Sequence, residues 1–266
     1  MSSEYALELS EQERARYRFM AEAARGSEAD LWAAAGIVPG ARVADVGCGP
    51  GAVSVVAAEV VGDAGHVWAV DADASTAAAA RDAAEAAGAG NVTVSTGDAA
   101  DTGLAPGSLD VVMIRHVLAH NGGREQAIVG HAAGLVRPGG SVYLVDVHFD
   151  GLRMRPPDAD VTDLDARYRE WHERQGNDLS VGLRLDELLA GAGLAVARYE
   201  GRYNIVRLPP GVRPPAWAAR DAMVAGGLAT TDDVDRWEAA LDRVGQASAP
   251  PTVFVPLFFA IGRRAA

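Results

Sequence analysis

The stretch VADVGCGPGAVSV, Val43 to Val55, restricts this chain more than any other feature. An apolar run that reads as a buried strand ends in three alternating glycines, Gly47, Gly49 and Gly51, and passes into a helical pattern. Glycine lacks a Cβ, so the backbone can turn sharply there and approach a bound molecule closely. A strand that turns straight into a helix belongs to a βαβ unit, whose helix carries the chain back to begin a parallel strand. The next apolar run, His66 to Asp71, supplies that strand and ends on a carboxylate.

The same rhythm continues downstream. Strands are predicted at Ala41 to Gly47, His66 to Asp71, Val92 to Asp98, Leu109 to Arg115 and Ser141 to His148, with helical segments between them. One such helix, Ser75 to Ala87, is closed by Gly88. Several strands are almost continuously apolar, as expected where helices cover both faces of a parallel sheet. After His148 the rhythm breaks at the aromatic, charged stretch DLDARYREWHERQG. It resumes with LRLDELLAGAGL and a strand-pair pattern from Ala195 to Leu208, breaks again, and closes with a strand from Thr252 to Ile261. Without an internal repeat or a Gly/Ser-rich linker, the simplest division is one domain, 1–266. Its expected parts are a helical cap (1–40), a core (41–148), two insertions over the site (149–183 and 209–247) and a last strand (252–264).

Composition excludes several functions. A net charge of −12 argues against a nucleic-acid partner, whose phosphates need clustered Lys and Arg. The single cysteine, Cys48, rules out an internal disulfide and a Cys-based zinc site. The charged N-terminus lacks the apolar segment of a signal peptide, and TVFVPLFFAIG is too short to cross a bilayer. The expectation is a cytoplasmic protein without membrane partners, its oligomeric state open and a homodimer included. Its Ala- and Gly-rich usage points to a GC-rich bacterial source.

Asp71 stands where a doubly wound sheet places an acid for the ribose hydroxyls of an adenosine. That fits a dinucleotide or another adenosine-bearing cofactor. Asp45, two residues before Gly47, puts negative charge at the mouth of the turn. A pyrophosphate is repelled there, whereas an ammonium or sulfonium is attracted. GDAAD follows the third strand and places Asp98 and Ala99 at an adenine edge, and LVRPGGSVYLVDV gives a helix end, a turn and a fifth strand.

VADVGCGPG, AVDAD, TGDAAD, LDVVMIRHVL and LVRPGGSVYLVDV occur in order and at suitable intervals. On these motifs the chain resembles the class I S-adenosylmethionine-dependent methyltransferases, well over Ala41 to His148 and more loosely at its end. The resemblance implies an α/β, Rossmann-like doubly wound sheet of seven mostly parallel strands with an antiparallel last strand. It also implies S-adenosylmethionine as methyl donor and S-adenosylhomocysteine as product. By the same resemblance Gly47, Gly49 and Gly51 would pass beneath the methionine part, and Asp45 would sit by its amino group. Asp71 would take the ribose hydroxyls with Ala72 beside the adenine, Asp98 and Ala99 would read the adenine, and Arg115 would line the methionine end. Tyr5 would close over the cofactor, with Tyr17 and Met20 as further candidates. Cys48 reads as a small packed residue, since methyl transfer needs no nucleophilic thiol.

The methyl acceptor is expected outside the carboxyl ends of the strands. RHVLAHN and DVHF bring His116, His120 and His148 to that edge, and a histidine suits proton removal near neutral pH. If RHVLAHN continues as a helix, His116 and His120 share one face. Tyr168, Trp171, His172 and Tyr203, with Trp217 and Met223, are candidates for an apolar acceptor pocket. His116, His120, Asp146 and His148 could also converge as metal ligands, but no metal is assigned. The expected function is methylation of a small organic acceptor, possible acceptors including specialised metabolites. The alternatives are a cofactor-binding protein catalysing a non-methylating reaction such as a cyclisation, and a nicotinamide-dependent oxidoreductase, against which Asp45 speaks.

Overall fold

The structure is a computed structural model that describes residues 11–207 and 211–266. In chain order its first half holds α1 (Glu11–Ser27), α2 (Ala29–Ala35), β1 (Arg42–Val46), α3 (Ala52–Val61), β2 (His66–Asp71), α4 (Ala74–Ala86), β3 (Val92–Thr96) and β4 (Leu109–Arg115). There follow α5 (Glu125–Leu135), β5 (Val136–Val147), β6 (Arg153–Arg155), α6 (Ala159–Arg174), α7 (Leu185–Gly191) and β7 (Ala195–Arg207). The last elements are α8 (Pro215–Ala218), α9 (Arg220–Ala225), α10 (Thr231–Gly245) and β8 (Thr252–Arg263).

The sheet runs β3-β2-β1-β4-β5-β8, with β7 on the far side of β8 and the short β6 pairing with the start of β8. Strands β1 to β5 are parallel, and β8 is antiparallel to β5, β6 and β7. This is the expected mostly parallel Rossmann-like sheet with antiparallel strands at its C-terminal edge, enlarged by the three-residue β6. The strand order reverses between β1 and β4, which opens a crevice at their carboxyl ends.

One difference from the sequence reading concerns Ala195 to Leu208, expected as a strand pair. Its described part is a single strand, β7, paired along β8. Gly201, which could have been a turn, lies mid-strand because the Phe258 ring occupies the space beside it, 2.9 Å from where a Cβ would stand.

Two apolar layers sandwich the sheet. Leu31, Trp32, Ala57, Val61, Tyr143 and Phe259 pack on one face. On the other face the core runs without interruption from Val112 and Leu144 through Leu185 and Leu189 to Trp217, Met223 and Trp237. The helices of the two insertions therefore share the core of the sheet.

Helix α6 is capped by Asp158, whose side chain accepts from the N–H groups of Asp160 and Val161. Helix α10 starts with a capping box between Thr230 and Asp233. Arg236 of α10 ion-pairs with Asp160 and Asp163, and the Trp237 indole N–H donates to Asp163 at 3.0 Å. These bonds join α6 to α10 as one helical layer.

Candidate functional site

The glycine turn after β1 is held from two sides. Its N–H groups at Gly47 and Cys48 donate to the Val70 carbonyl, and the Gly49 N–H donates to Asp71 Oδ2 at 2.9 Å. The other Asp71 oxygen accepts from the Asp73 N–H at 3.0 Å. The Ala72 backbone also bonds to this carboxylate, which keeps lone-pair capacity for a ligand hydroxyl. Burial pushes the Asp71 carboxyl above its usual range, opposed by these backbone donors.

The three glycines have positive φ but different surroundings. A Cβ at Gly47 would stand 2.3 Å from Val117, and one at Gly51 would stand 2.9 Å from Ala80 Cβ. Gly47 and Gly51 thus allow close packing of the turn on its neighbours. Gly49 meets only the edge of the Tyr17 ring, at 3.5 Å. Cys48 is buried, and burial drives its thiol pKa far up, so it carries no thiolate.

Asp45 is fully enclosed, accepts the Ser54 hydroxyl at 2.6 Å, and is pushed up to about 6 by burial. Arg115, expected beside the methionine part, is instead a buried ion-pair partner of Glu28, bonded through both terminal nitrogens. Glu28 also accepts from the Tyr143 hydroxyl at 2.8 Å and the Trp32 indole at 3.3 Å. A guanidinium this deep needs a carboxylate, and Glu28, just before α2, brings one from 87 residues away in the chain. With Arg115 committed to Glu28, Asp45 and Asp71 dominate the charge beside the turn.

At the neighbouring strand end, Asp98 pairs with Arg124 at 2.6 Å and accepts from the Ala100 N–H at 2.8 Å. The Arg124 guanidinium holds its carboxyl below the usual range. Both contacts use Oδ1, which leaves Oδ2 to accept from an amine. Ala72 is exposed beside Asp71, and Ala99 is half-buried.

RHVLAHN does not continue as a helix. His116 has φ 55°, in the left-handed region, and only Leu118–His120 make a single 3-10 turn. His116 and His120 therefore do not share a helix face. The buried Asp146 explains the turn, because its carboxylate accepts the Ala119 N–H at 3.1 Å together with the Val147 N–H and the Leu118 backbone. Burial pushes Asp146 up to about 7. His148 Nδ1 lies 3.0 Å from the Ser180 hydroxyl. Among the described residues no group of histidine, cysteine or acidic side chains is arranged to hold a metal ion.

Helix α6 faces this edge with Tyr168 and His172. The His172 ring lies 4.4 Å from Tyr168, 4.6 Å from Trp171 and 4.8 Å from His120, centroid to centroid. Asp165 falls on the same helix side, three and seven residues before them, and burial pushes it up to about 7. Sequence reasoning missed Asp165, and its helical spacing from Tyr168 and His172 was the available signal. It also missed Asn177 and Glu28, for which no local pattern exists. Trp217 and Met223 are buried core residues. Tyr203, expected in the acceptor pocket, is 58% exposed on the edge strand β7 and takes no part in this cluster, because its alternation on the strand turns it to solvent. Tyr5 lies outside the described residues.

These residues suit S-adenosylmethionine. Asp71 offers a carboxylate for a ribose hydroxyl, Gly49 leaves the turn open above it, and two carboxylates favour a cationic ligand over a pyrophosphate.

Residues 43–140 match the family profile described as a methyltransferase domain. Over 175 residues, 66% of its length, the chain is 30% identical to an uncharacterized transposon protein of Streptomyces fradiae, and it covers 49% of that protein. Over 75 residues, 28% of its length, it is 49% identical to a nocamycin O-methyltransferase of Saccharothrix syringae, covering 26% of it. The chain thus spans about half or less of the curated relatives it matches. A SAM-dependent methyltransferase from Aquifex aeolicus superposes with a TM-score of 0.53 at 17% identity, over 70% of this chain and 90% of that one. The cyclase SpnF superposes with a TM-score of 0.56 at 20% identity, over 89% of this chain and 79% of that one. At these identities the two superpositions speak for the fold alone. Residues 43–140 thus match a methyltransferase domain, and the sheet order around them is that of a Rossmann-like fold.

Proposed function

We propose that this protein transfers a methyl group from S-adenosylmethionine to a small organic acceptor held between the 116–121 turn and α6. The observation that carries the reading is the charge at the glycine turn, where Asp71 ends β2 with the buried Asp45 close by, while Arg115 is neutralised by Glu28. The bound cofactor supplies an electrophilic methyl on a sulfonium, and the protein's task is alignment and proton handling. Asp71 binds the ribose hydroxyls, Asp98 and Ala99 the adenine edge, and the turn at Gly49 carries the methionine part, with Asp45 setting its polarity. Tyr168, Trp171 and His172 form an apolar wall for the acceptor. His116, His120 and His148 stand round the carboxyl edge as the groups that bind the acceptor oxygen or take its proton. A negatively charged surface supports a small molecule over nucleic acid.

A second reading keeps the binding site but changes the reaction, since a cyclase shares the fold. Two measurements decide. Thermal melts with S-adenosylmethionine, S-adenosylhomocysteine and NAD(P) should show stabilisation by the sulfur compounds only. Absence of any shift with either would overturn the cofactor reading. Incubation with methyl-labelled cofactor and a panel of phenols, acids and amines should then release S-adenosylhomocysteine with label in the acceptor. Conversion of an acceptor without that release would favour the cyclase-type reading.

A further inference from the structure

Helix α5 grips the loop that follows β3 at both ends. Arg124, at the start of the helix, pairs with Asp98 at 2.6 Å. His131, seven residues on and so on the same helix face, meets Thr102. Between these anchors the loop folds back on itself. The Asp101 N–H donates to the Asp98 carbonyl at 2.9 Å, and the Ala100 N–H donates to the Asp98 side chain at 2.8 Å. Ala99, expected at the adenine edge, stands within this stretch.

The bond at Thr102 fixes the state of the His131 ring. The Thr102 N–H, which can only donate, lies 3.1 Å from Nε2. Nε2 is therefore an acceptor, the ring is neutral, and its proton sits on Nδ1. The Thr102 hydroxyl lies 2.9 Å from the same nitrogen and accepts the Leu104 N–H at 3.3 Å, so the ring also orders the chain beyond the loop. Thr102 is 5% exposed, which leaves its N–H little access to water. An imidazolium carries hydrogens on both nitrogens and accepts at neither. Its Nε2–H would point at the Thr102 N–H, and the buried amide would lose its acceptor. The charged groups of this region are Asp98, its partner Arg124 and the exposed Asp101.

We propose that His131 is a positioning residue for the cofactor: its neutral ring latches the Asp98–Thr102 loop to α5, and protonation opens the latch and weakens binding of the adenosine end. In this role His131 touches no reacting atom and acts through Thr102 on Ala99 and Asp98. The Arg124–Asp98 anchor stays ionised near neutral pH, since arginine keeps its charge and that guanidinium holds the Asp98 carboxyl below its usual range. Only the His131 end of the loop therefore responds to a proton. That the loop reads an adenine rests on the function proposed above; the latch itself does not.

Ring-nitrogen and backbone-amide NMR on the full ¹⁵N-labelled chain, without ligand, tests the latch. Neutral His131 should be the Nδ1–H tautomer. The Thr102 amide should shift, and exchange faster with solvent, in step with His131 protonation. Titration calorimetry with S-adenosylhomocysteine then tests the consequence. In His131→Gln the side-chain oxygen can accept the Thr102 N–H at every pH. Its affinity should match that of the unmutated protein while the ring is neutral and exceed it by about fivefold once His131 is protonated, the contribution of one hydrogen bond. Asp45, pushed up to about 6, titrates in both proteins and drops out of the comparison. An Nε2–H tautomer, or a Thr102 amide indifferent to His131 protonation, would overturn the latch, and neither reading needs a variant. Parallel affinity profiles for the two proteins would overturn the positioning role. A latch seen in a protein that binds no S-adenosylhomocysteine at any pH would overturn the cofactor reading, and the positioning role with it.

Discussion

The carboxylate of Asp71, at the end of β2, accepts the N–H of Gly49 in the turn after β1, at 2.9 Å. The residue proposed to bind the ribose thus also shapes the turn that carries the rest of the cofactor. Asp71→Ala should remove both functions, weakening S-adenosylhomocysteine binding by at least about tenfold, equivalent to about 1.4 kcal/mol. Asp71→Asn keeps an acceptor for the turn and should lose less. Titration calorimetry measures both. Unchanged affinity in the alanine variant would show that the ribose is bound elsewhere.

Gly51 and Ala80 make the second contact that fixes the turn, where the start of α3 lies against α4. Gly51 has φ 79°, and an added Cβ would meet Ala80 Cβ at 2.9 Å and its backbone Cα at 3.0 Å. Neither neighbour can swing away. Gly51→Ala should therefore destabilise the protein by about 1–3 kcal/mol through overpacking, with added strain from the left-handed backbone. Gly49→Ala has only the Tyr17 ring nearby, so it should cost less stability and act mainly on cofactor affinity. Urea unfolding of the two variants should separate them, and equal losses would contradict the packing argument.

Asp71, Asp45 and the glycines could be recognised in the sequence because each sits at a fixed offset from a strand with a regular apolar pattern. The five parallel strands were legible for the same reason. Whether the 116–121 segment is a helix could not be read locally, because its geometry comes from Asp146, 27 residues away in the chain and on the neighbouring strand. Arg115 was legible as a residue at a strand end, but its direction depends on Glu28, which has no sequence pattern to mark it. Tyr203 looked like a pocket aromatic by type, and only the pairing of β7 along β8 shows it to lie on an exposed edge. Contacts set by tertiary packing leave no local period to read.

The Arg115–Glu28 pair is almost free of solvent, with side chains 7% and 1% exposed. Removing one partner leaves a buried charge, so Glu28→Ala should cost about 3–5 kcal/mol. The double replacement of Glu28 and Arg115 by methionine should be less damaging than the single one, since no uncompensated charge remains, although the Tyr143 hydroxyl loses its acceptor. Chemical denaturation of the single and double variants reads the difference. A double variant no more stable than Glu28→Ala would mean that the pair stabilises through its hydrogen bonds and not merely by mutual compensation.

Asp45 is the acid whose ionisation most directly links stability to the proposed chemistry. Burial raises its folded pKa from 3.8 to about 6. Between these values the folded protein holds a proton that the unfolded chain has released, so stability falls as pH rises from about 4 to about 6. Above that window the shift corresponds to about 3 kcal/mol of lost stability. Asp45→Asn cannot ionise and keeps an oxygen for the Ser54 hydroxyl, now at 2.6 Å from Oδ2. Its stability relative to the unmutated protein should therefore increase across the same pH window and level off above it, as read from urea unfolding at several pH values. A difference independent of pH would place the Asp45 ionisation outside this range. The same substitution removes a negative charge beside the glycine turn, so it should weaken binding of S-adenosylmethionine, whose sulfonium is cationic, more than S-adenosylhomocysteine, which lacks that charge. A stabilised variant with reduced discrimination between the two would show that the protein keeps a costly buried carboxyl because it favours the charged methyl donor over the product.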